Sequence, residues 1–211
     1  MTVHRGCTKL LCLALTLALP AALHAEEAAA PALTLSEAER GALLAMLEEG
    51  RTRTEELVAR VEDDDFGRRP EPDRWSVSEV LEHIAATEGL LFGLVENALA
   101  AEPDPEWQQV AEAVPIDAFT TRVRDRSQRA QAPEILQPKG AQTREEGLER
   151  YRTNRAATIE FVRSTAAPLK QHTAEIPGGK LTVHHFLNLI AAHNLRHNEQ
   201  IAEALEQLES P

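Results

Sequence analysis

The chain has 211 residues, with 22 Lys or Arg against 34 Asp or Glu, and a formal net charge of −12. This acidity argues against nucleic acid or anionic lipid as a main partner, because phosphate binding needs clustered cations. Only eight residues are aromatic, too few for a base-stacking platform. The length is typical of one domain that can bury a core without the help of disulfides or metal.

Residues 1–25 have the pattern of a Sec-type signal peptide. Arg5 and Lys9 form a short positive region, and the run 10–25 has no charged side chain and ends in small residues. This run has 16 residues, which is short of the ~20 that a membrane-spanning helix needs. We therefore expect cleavage after the run, a periplasmic or secreted protein, and no stable membrane span after processing. An uncleaved anchor is the alternative.

Both cysteines, Cys7 and Cys12, lie inside this leader. The expected mature chain therefore has no disulfide and no thiol nucleophile. Losing the leader removes two of the 22 cations, which leaves 20 cations against 34 acids and a net charge of −14. Residues 26–34 are rich in Ala, Pro and Glu and predict a flexible lead-in, and residues 35–211 predict one folded domain.

Four long helices are predicted over that domain. The first three each begin with a capping box, in which a Ser or Thr faces a Glu three residues later. These pairs are Ser36 with Glu39, Ser76 with Glu79, and Thr143 with Glu146. The fourth helix begins near Thr182, after the turn signal Pro177-Gly178-Gly179. Apolar residues recur at three- and four-residue steps, and no segment alternates with a period of two, so the pattern predicts an all-α fold.

The connection 102–142 between helices two and three holds five prolines, and short helical stretches are expected over 106–113 and 115–126. A connection this long is uncommon unless it crosses the molecule. A helix of ~25 residues is ~38 Å long, and this linker can easily span that distance. The sequence therefore predicts a four-helix bundle with a long crossover between helices two and three, in an up-down-down-up arrangement.

Histidines are the most informative residues of the expected mature chain. His193 and His197 lie one turn apart on one face of helix four, a spacing at which two imidazoles can hold one transition metal. The pair alone is a weak pattern, since buried histidines are often only hydrogen-bonded core residues. His83 is the candidate third ligand. It lies ~10 Å into helix two, and the crossover topology brings it within about one turn of the level of His197.

The remaining polar candidates predict supporting roles. His184 and His185 lie in the first turn of helix four, where a capping or surface role is expected and a substrate-facing role is the alternative. His172 is predicted to be a loop residue. Gln200, three residues after the second ligand of helix four, could hydrogen-bond the site or pack at a helix seam. Glu88 lies about 140° around helix two from the candidate ligand there and is not predicted to bind metal.

Two segments resemble the DinB/YfiT-like superfamily. Residues 75–84, WSVSEVLEHI, resemble the start of its second helix, and residues 192–201, AHNLRHNEQI, resemble its His-x-x-x-His-x-x-Gln-Ile motif. The resemblance covers roughly residues 35–208 and implies a four-helix bundle in which three histidines bind a divalent metal. Carried onto this sequence, the ligands are His83, His193 and His197.

The resemblance also implies a class of chemistry. Family members with known activity include metal-dependent thiol S-transferases, which use bacillithiol, mycothiol or glutathione, and a maleylpyruvate isomerase. The signal peptide departs from the usual pattern and conflicts with a cytosolic thiol cofactor. Three neutral imidazoles leave a divalent ion with open positions, where a bound water or thiol has a lowered pKa. Zinc suits this ligand set best, and the ligands alone leave nickel or iron open.

We therefore expect an exported, divalent-metal-dependent transferase or hydrolase that acts on a small-molecule substrate. The alternative is a non-catalytic metal-binding or interaction module of the cell envelope. Nothing in the sequence decides between a monomer and a homodimer.

Overall fold

A computed structural model describes residues 1–2, 33–127 and 131–209. The predicted signal peptide with Cys7 and Cys12 lies outside the described residues, apart from residues 1–2, and so does most of the lead-in 26–34. Both therefore stay predictions. Within the described part of the chain, every helix is too short or too polar to cross a membrane.

The described residues form six α-helices, of which four are long. The long ones are α1 (Glu37–Ala59), α2 (Val77–Ala100), α5 (Arg144–Ser164) and α6 (Val183–Glu209). The crossover carries the two short ones, α3 (Trp107–Ala113) and α4 (Ile116–Arg124), close to the predicted stretches. All three predicted capping boxes are present, with the Ser or Thr oxygen accepting a backbone N–H and the Glu carboxylate returning to the cap.

The four long helices pack as a square in which α1 contacts α5 and α6, and α2 contacts the same two helices. Three hydrogen bonds between residues near the helix ends show the helix directions. They run from Gln142 Nε2 to Ser78 O, from His172 Nδ1 to Ala98 O, and from Arg40 Nη2 to Thr165 O. The first places the starts of α5 and α2 together, so these helices are parallel. In the second, His172 lies beside the start of α6, because its backbone oxygen accepts the N–H of Val183 at 2.8 Å. The start of α6 therefore lies at the end of α2, and these two helices are antiparallel. The third bond makes α1 antiparallel to α5. The predicted up-down-down-up bundle is confirmed.

A small β-hairpin, which the sequence pattern did not predict, precedes α6. Its strands, β1 (Thr173–Ile176) and β2 (Gly179–Thr182), pair antiparallel. The predicted turn lies between them, with Gly178 and Gly179 at positive φ values of 115° and 133°, a conformation that favours glycine. Each strand has only four residues, too few for an alternating pattern to stand out in the sequence.

The core consists of two apolar clusters at opposite ends of the bundle. One includes Leu43, Leu47 and Phe186, and the other includes Leu57 and Ile201. Burial of such side chains supplies most of the stability of a bundle, because helices of this length are marginal on their own. Polar side chains fill the level between the two clusters, and this is the level at which the candidate site lies.

The crossover runs past the seam between α2 and α6. Helix α4 packs against α6, and a 3₁₀ turn, Glu134–Leu136, packs against α2. Just after this turn, the backbone N–H groups of Lys139 and Gly140 donate to Glu82 Oε2 at 3.1 and 2.8 Å. These bonds attach the crossover to α2 beside the candidate ligands.

Candidate metal centre

Three histidines meet at the seam between α2 and α6. His83 Nε2 lies 3.2 Å from His193 Nε2, which lies 3.1 Å from His197 Nε2. All three atoms lie within 4.8 Å of one another. Nitrogen ligands at ~2.0–2.1 Å from one tetrahedral ion are ~3.4 Å apart, so the cluster is close to the geometry of a shared ion. The structure thus brings together the three histidines that the sequence singled out, and metal binding by them stays a prediction.

Hydrogen bonds on the far side of two rings place their protons away from the cluster. His83 Nδ1 donates to the carbonyl oxygen of Leu136, and His197 Nδ1 donates to Gln200 Oε1, both at 2.8 Å. A neutral imidazole carries one proton, so both Nε2 atoms offer lone pairs. His193 can donate to only one of them, so at least one lone pair meets no proton within the trio. Ligand histidines typically have this arrangement, with the other ring nitrogen held by a neighbouring acceptor.

All three imidazoles are neutral at neutral pH. Burial lowers the pKa of His83 and of His193 below the ordinary value, and it lowers the pKa of His197 to about 3. The nearby imidazoles lower the pKa of His193 and His197 further. The acceptors Leu136 O and Gln200 Oε1 oppose these shifts only in part. Since a metal competes with protons for these nitrogens, the neutral state favours metal binding.

A cavity of about 780 Å³ opens onto the histidine cluster. Its volume is in the range of small-molecule sites. Trp75, which precedes α2, lines it together with the three histidines. The Trp75 ring lies 5.0 Å from the His83 ring and stacks on the His197 ring at 6.5 Å between centroids. The indole therefore shields one side of the cluster from water while the cavity leaves another side accessible.

The other histidines lie near the start of α6, away from the cluster. His184 and His185 are 5 % and 2 % exposed, so the predicted surface role is wrong. A cap is present, because Thr182 Oγ1 accepts the backbone N–H of His185 at 3.2 Å. The His185 ring donates from Nε2 to Val114 O at 2.8 Å, and the crossover therefore covers it. His172 lies in a loop as predicted, but it is buried.

Sequence reasoning missed a buried ion pair behind the cluster. Arg155 is fully buried and donates from Nη2 to Glu88 Oε2 at 2.9 Å and from Nη1 to Leu47 O at 3.2 Å. Thr158 Oγ1 donates to the other oxygen of Glu88 at 2.8 Å. Burial raises the pKa of the Glu88 carboxyl, and Arg155 and Thr158 oppose the rise. Glu88 therefore belongs to the interior of the bundle and not to the cluster.

A second set of polar contacts joins α6 to its neighbours. Asn194 and Asn198, which directly follow the two candidate ligands of α6, are 1 % exposed. Tyr151 Oη donates to Asn194 Oδ1 at 2.9 Å, and Thr54 Oγ1 donates to Asn198 Oδ1 at 2.7 Å. Asn198 Nδ2 also donates to Gly50 O at 3.0 Å. These bonds fix the rotation of α6, and so the direction in which its two candidate ligand imidazoles project.

Comparison with known proteins gives one family. A model described as the DinB superfamily matches residues 46–201, a range that contains all three clustered histidines. A curated relative, the uncharacterized protein YuaE of Bacillus subtilis (strain 168), is 24% identical over 177 residues, which are 79% of this chain and 99% of the relative. No solved structure matches the chain significantly.

Proposed function

Because the chain belongs to the DinB superfamily, we propose that it is an exported protein that holds one divalent metal ion with His83, His193 and His197. We further propose that it acts on a small molecule as a transferase or hydrolase. One observation carries the proposal: three neutral imidazoles direct Nε2 atoms at one point beside a small-molecule cavity.

The ligand set fits such an ion. Three imidazole nitrogens suit zinc, and the ligand chemistry leaves nickel and iron as alternatives. A divalent ion held there by the three imidazoles would supply Lewis-acid chemistry, which lowers the pKa of a water or a thiol.

Backbone and side-chain groups of the protein orient the three imidazoles without an ion. Leu136 O and Gln200 Oε1 select the tautomer that leaves Nε2 of His83 and His197 unprotonated. Trp75 keeps water from one side of the rings. The contacts of Asn194 and Asn198 hold α6 in register, so that two ligands reach the same point. The site is therefore built on rigid helices rather than on loops.

Export is part of the proposal and rests on the sequence of residues 1–25. The positive start, the uncharged run and the small-residue end support it. An exported protein would meet water and extracytoplasmic thiols rather than a cytosolic thiol cofactor. N-terminal sequencing of the protein from periplasmic material should find a start near Glu26, and recovery of full-length protein from the cytosol would contradict export.

A non-catalytic metal-binding module of the envelope is the second candidate. The observation that favours it is that Glu203, a carboxylate lining the cavity, is engaged by Arg126 at 2.5 Å. The Arg126 guanidinium thus already occupies Oε2 of this carboxylate, which leaves less of it free to contact a substrate. Metal binding without turnover would support this second function.

Metal analysis of the purified mature protein tests the proposal. The wild type should carry about one divalent ion per chain, and His193→Ala should lose it, because two imidazoles chelate weakly. His172→Ala is the matched control, since His172 hydrogen-bonds to Ala98 O at a distance from the cluster. A screen of thiols and electrophiles, with metal removed and restored, then separates catalysis from binding. Equal metal content in a variant that lacks all three histidines would contradict the ligand assignment.

A further inference from the structure

The cavity beside the histidines is rich in cations although the chain is strongly acidic. Among the described residues, three arginines and two acids line it, whereas the whole chain has a net charge of −12. The arginines are Arg74, Arg126 and Arg196, and they come from three different parts of the fold. An excess of cations over acids at the cavity wall favours an anionic ligand there, although the whole chain is acidic.

Two of these arginines hold each other in place. Arg126 Nη1 donates to the backbone oxygen of Arg196 at 3.1 Å, and Arg196 donates in return to the backbone oxygen of Asp125. Arg126 also donates to Glu203 Oε2. These bonds fix two guanidinium groups at the cavity wall, so that a ligand would not have to order them on binding.

Arg74 is held more loosely. Its Nη2 lies 4.0 Å from the same oxygen, Glu203 Oε2, that Arg126 engages at 2.5 Å. One carboxylate therefore faces two guanidinium groups, and the Arg74 side chain is 31% exposed. A guanidinium has five N–H donors in a planar fork that matches a carboxylate or a phosphate. The geometry leaves Arg74 able to engage an anion in the cavity.

Thr87 provides an independent observation in the same cavity. It lies one turn after His83 on α2, lines the cavity, and is 6% exposed. Its hydroxyl has no hydrogen-bond partner among the residues that the structure describes. Buried hydroxyls almost always find partners, and an exception beside a cavity points to a partner that the chain itself does not supply.

We propose that the cavity binds a small anionic molecule. Its acidic group, a carboxylate or a phosphate, lies against Arg74 and Arg126, and a polar atom of the same molecule reaches the Thr87 hydroxyl beside the histidines. The inference deepens the proposed function and rests on it, because a divalent ion adds two positive charges to the same cavity and would hold the reacting end of the ligand.

Three hydroxamates of equal length test the charge preference. Each has the same metal-binding head, and the tails end in a carboxamide, a carboxylate or a phosphonate. Calorimetric titration of zinc-loaded protein should give the anionic tails an affinity at least ~10-fold higher than the carboxamide, the scale of a hydrogen bond to a charged group. The ratio between the carboxylate and the phosphonate identifies which anion the wall prefers.

Matched variants locate the effect. Arg74→Gln should remove most of the preference for an anionic tail, while Arg122→Gln, an equal charge change at an exposed position of α4, should leave it unchanged. Thr87→Val should weaken all three ligands by about 3- to 10-fold, and Thr87→Ser should restore them. Metal content should be unchanged in every one of these variants.

Metal-free protein separates this inference from the proposed function. There the same titration, followed by NMR, should still favour the anionic tails over the carboxamide, because the arginines remain. If the protein binds no zinc, the titration of metal-free protein by itself tests whether the cavity prefers anions. Equal affinity for charged and neutral tails in wild type, or an unchanged preference in Arg74→Gln, would overturn the anion site while leaving the metal site standing.

Discussion

Two polar clusters of the bundle, one around Arg155 and Glu88 and one of three histidines, differ in one respect. In the network around Arg155 and Glu88, the guanidinium donates to the Glu88 carboxylate and to a backbone carbonyl oxygen. The Thr158 hydroxyl donates to the other carboxylate oxygen. In the trio of His83, His193 and His197, the Nε2 atoms lie 3.1 to 3.2 Å apart, and at least one of their lone pairs meets no proton within the trio. The first cluster is complete within the chain. The second leaves at least one lone pair without a partner, and this difference supports the proposal that the histidines bind a metal ion.

The largest expected effect comes from breaking the complete cluster. Arg155→Met leaves the Glu88 carboxylate buried without its cation, which should lower the free energy of unfolding by about 3–5 kcal/mol. Urea denaturation of both proteins at pH 7 measures it. Arg152→Met is the control, because its side chain is 51% exposed in its pair with Glu55 and should cost less than ~1 kcal/mol. Equal losses in the two variants would contradict a structural role for the buried pair.

The incomplete cluster should respond to metal instead. Zinc at about 100 times its dissociation constant should raise the free energy of unfolding of the wild type by about 2.7 kcal/mol. A variant with His83→Ala, His193→Ala and His197→Ala should show no such increase, because its ligands are gone. Thermal or urea unfolding with and without zinc measures the increment. An increment that survives in the triple variant would place the metal elsewhere.

Two threonines compare the clusters at the level of a single hydroxyl. Thr158→Val should lower the free energy of unfolding by about 1–3 kcal/mol, because it removes a donor to buried Glu88. Thr87→Val should instead raise it by about 1 kcal/mol in metal-free protein, because the Thr87 hydroxyl is buried without a partner. Urea titrations of the two variants measure both values. A change of the same sign in the free energy of unfolding of both variants would contradict the difference between the two clusters.

The smallest expected effect is a pH dependence from His184, which lies outside both clusters. Burial lowers its pKa from 6.5 to about 4 in the folded protein. The unfolded chain therefore binds the extra proton first, and the contribution is full above pH 6.5 and lost as pH falls toward 4. Between pH 7.5 and pH 6 the part of the loss that is due to His184 should be below about 1 kcal/mol. It is measured as the difference between the wild-type and His184→Asn profiles, because the other buried histidines have lowered pKa values in both proteins. A pH profile that His184→Asn leaves unchanged would show that this imidazole is not responsible.

Local patterns in the sequence predicted much of the fold and the site. The three capping boxes located the starts of three helices, since each depends only on residues three positions apart. The spacing of His193 and His197 placed them on one face, and the crossover placed His83 at their level. These features can be predicted from the sequence because the interactions are local or follow from helix geometry.

Other features depend on contacts that no local pattern contains. Arg155 meets Glu88 across 67 positions, and their pairing follows from the parallel packing of α2 and α5. His185 is buried because the crossover brings Val114 O and Phe119 over it. The hairpin depends on pairing between strands of only four residues. An Arg on the inward side of a predicted helix, next to Tyr151, was the available sign of the ion pair.

The coordination of zinc in the loaded protein tests the central claim most directly. X-ray absorption spectroscopy at the zinc edge should show three imidazole nitrogens at ~2.0–2.1 Å, with water oxygen completing the shell. Gln200→Ala should keep the same three nitrogens, and His197→Ala should reduce the imidazole count or lose the ion. A shell made of oxygen ligands alone, or a spectrum that is identical in wild type and His197→Ala, would contradict the three-histidine site.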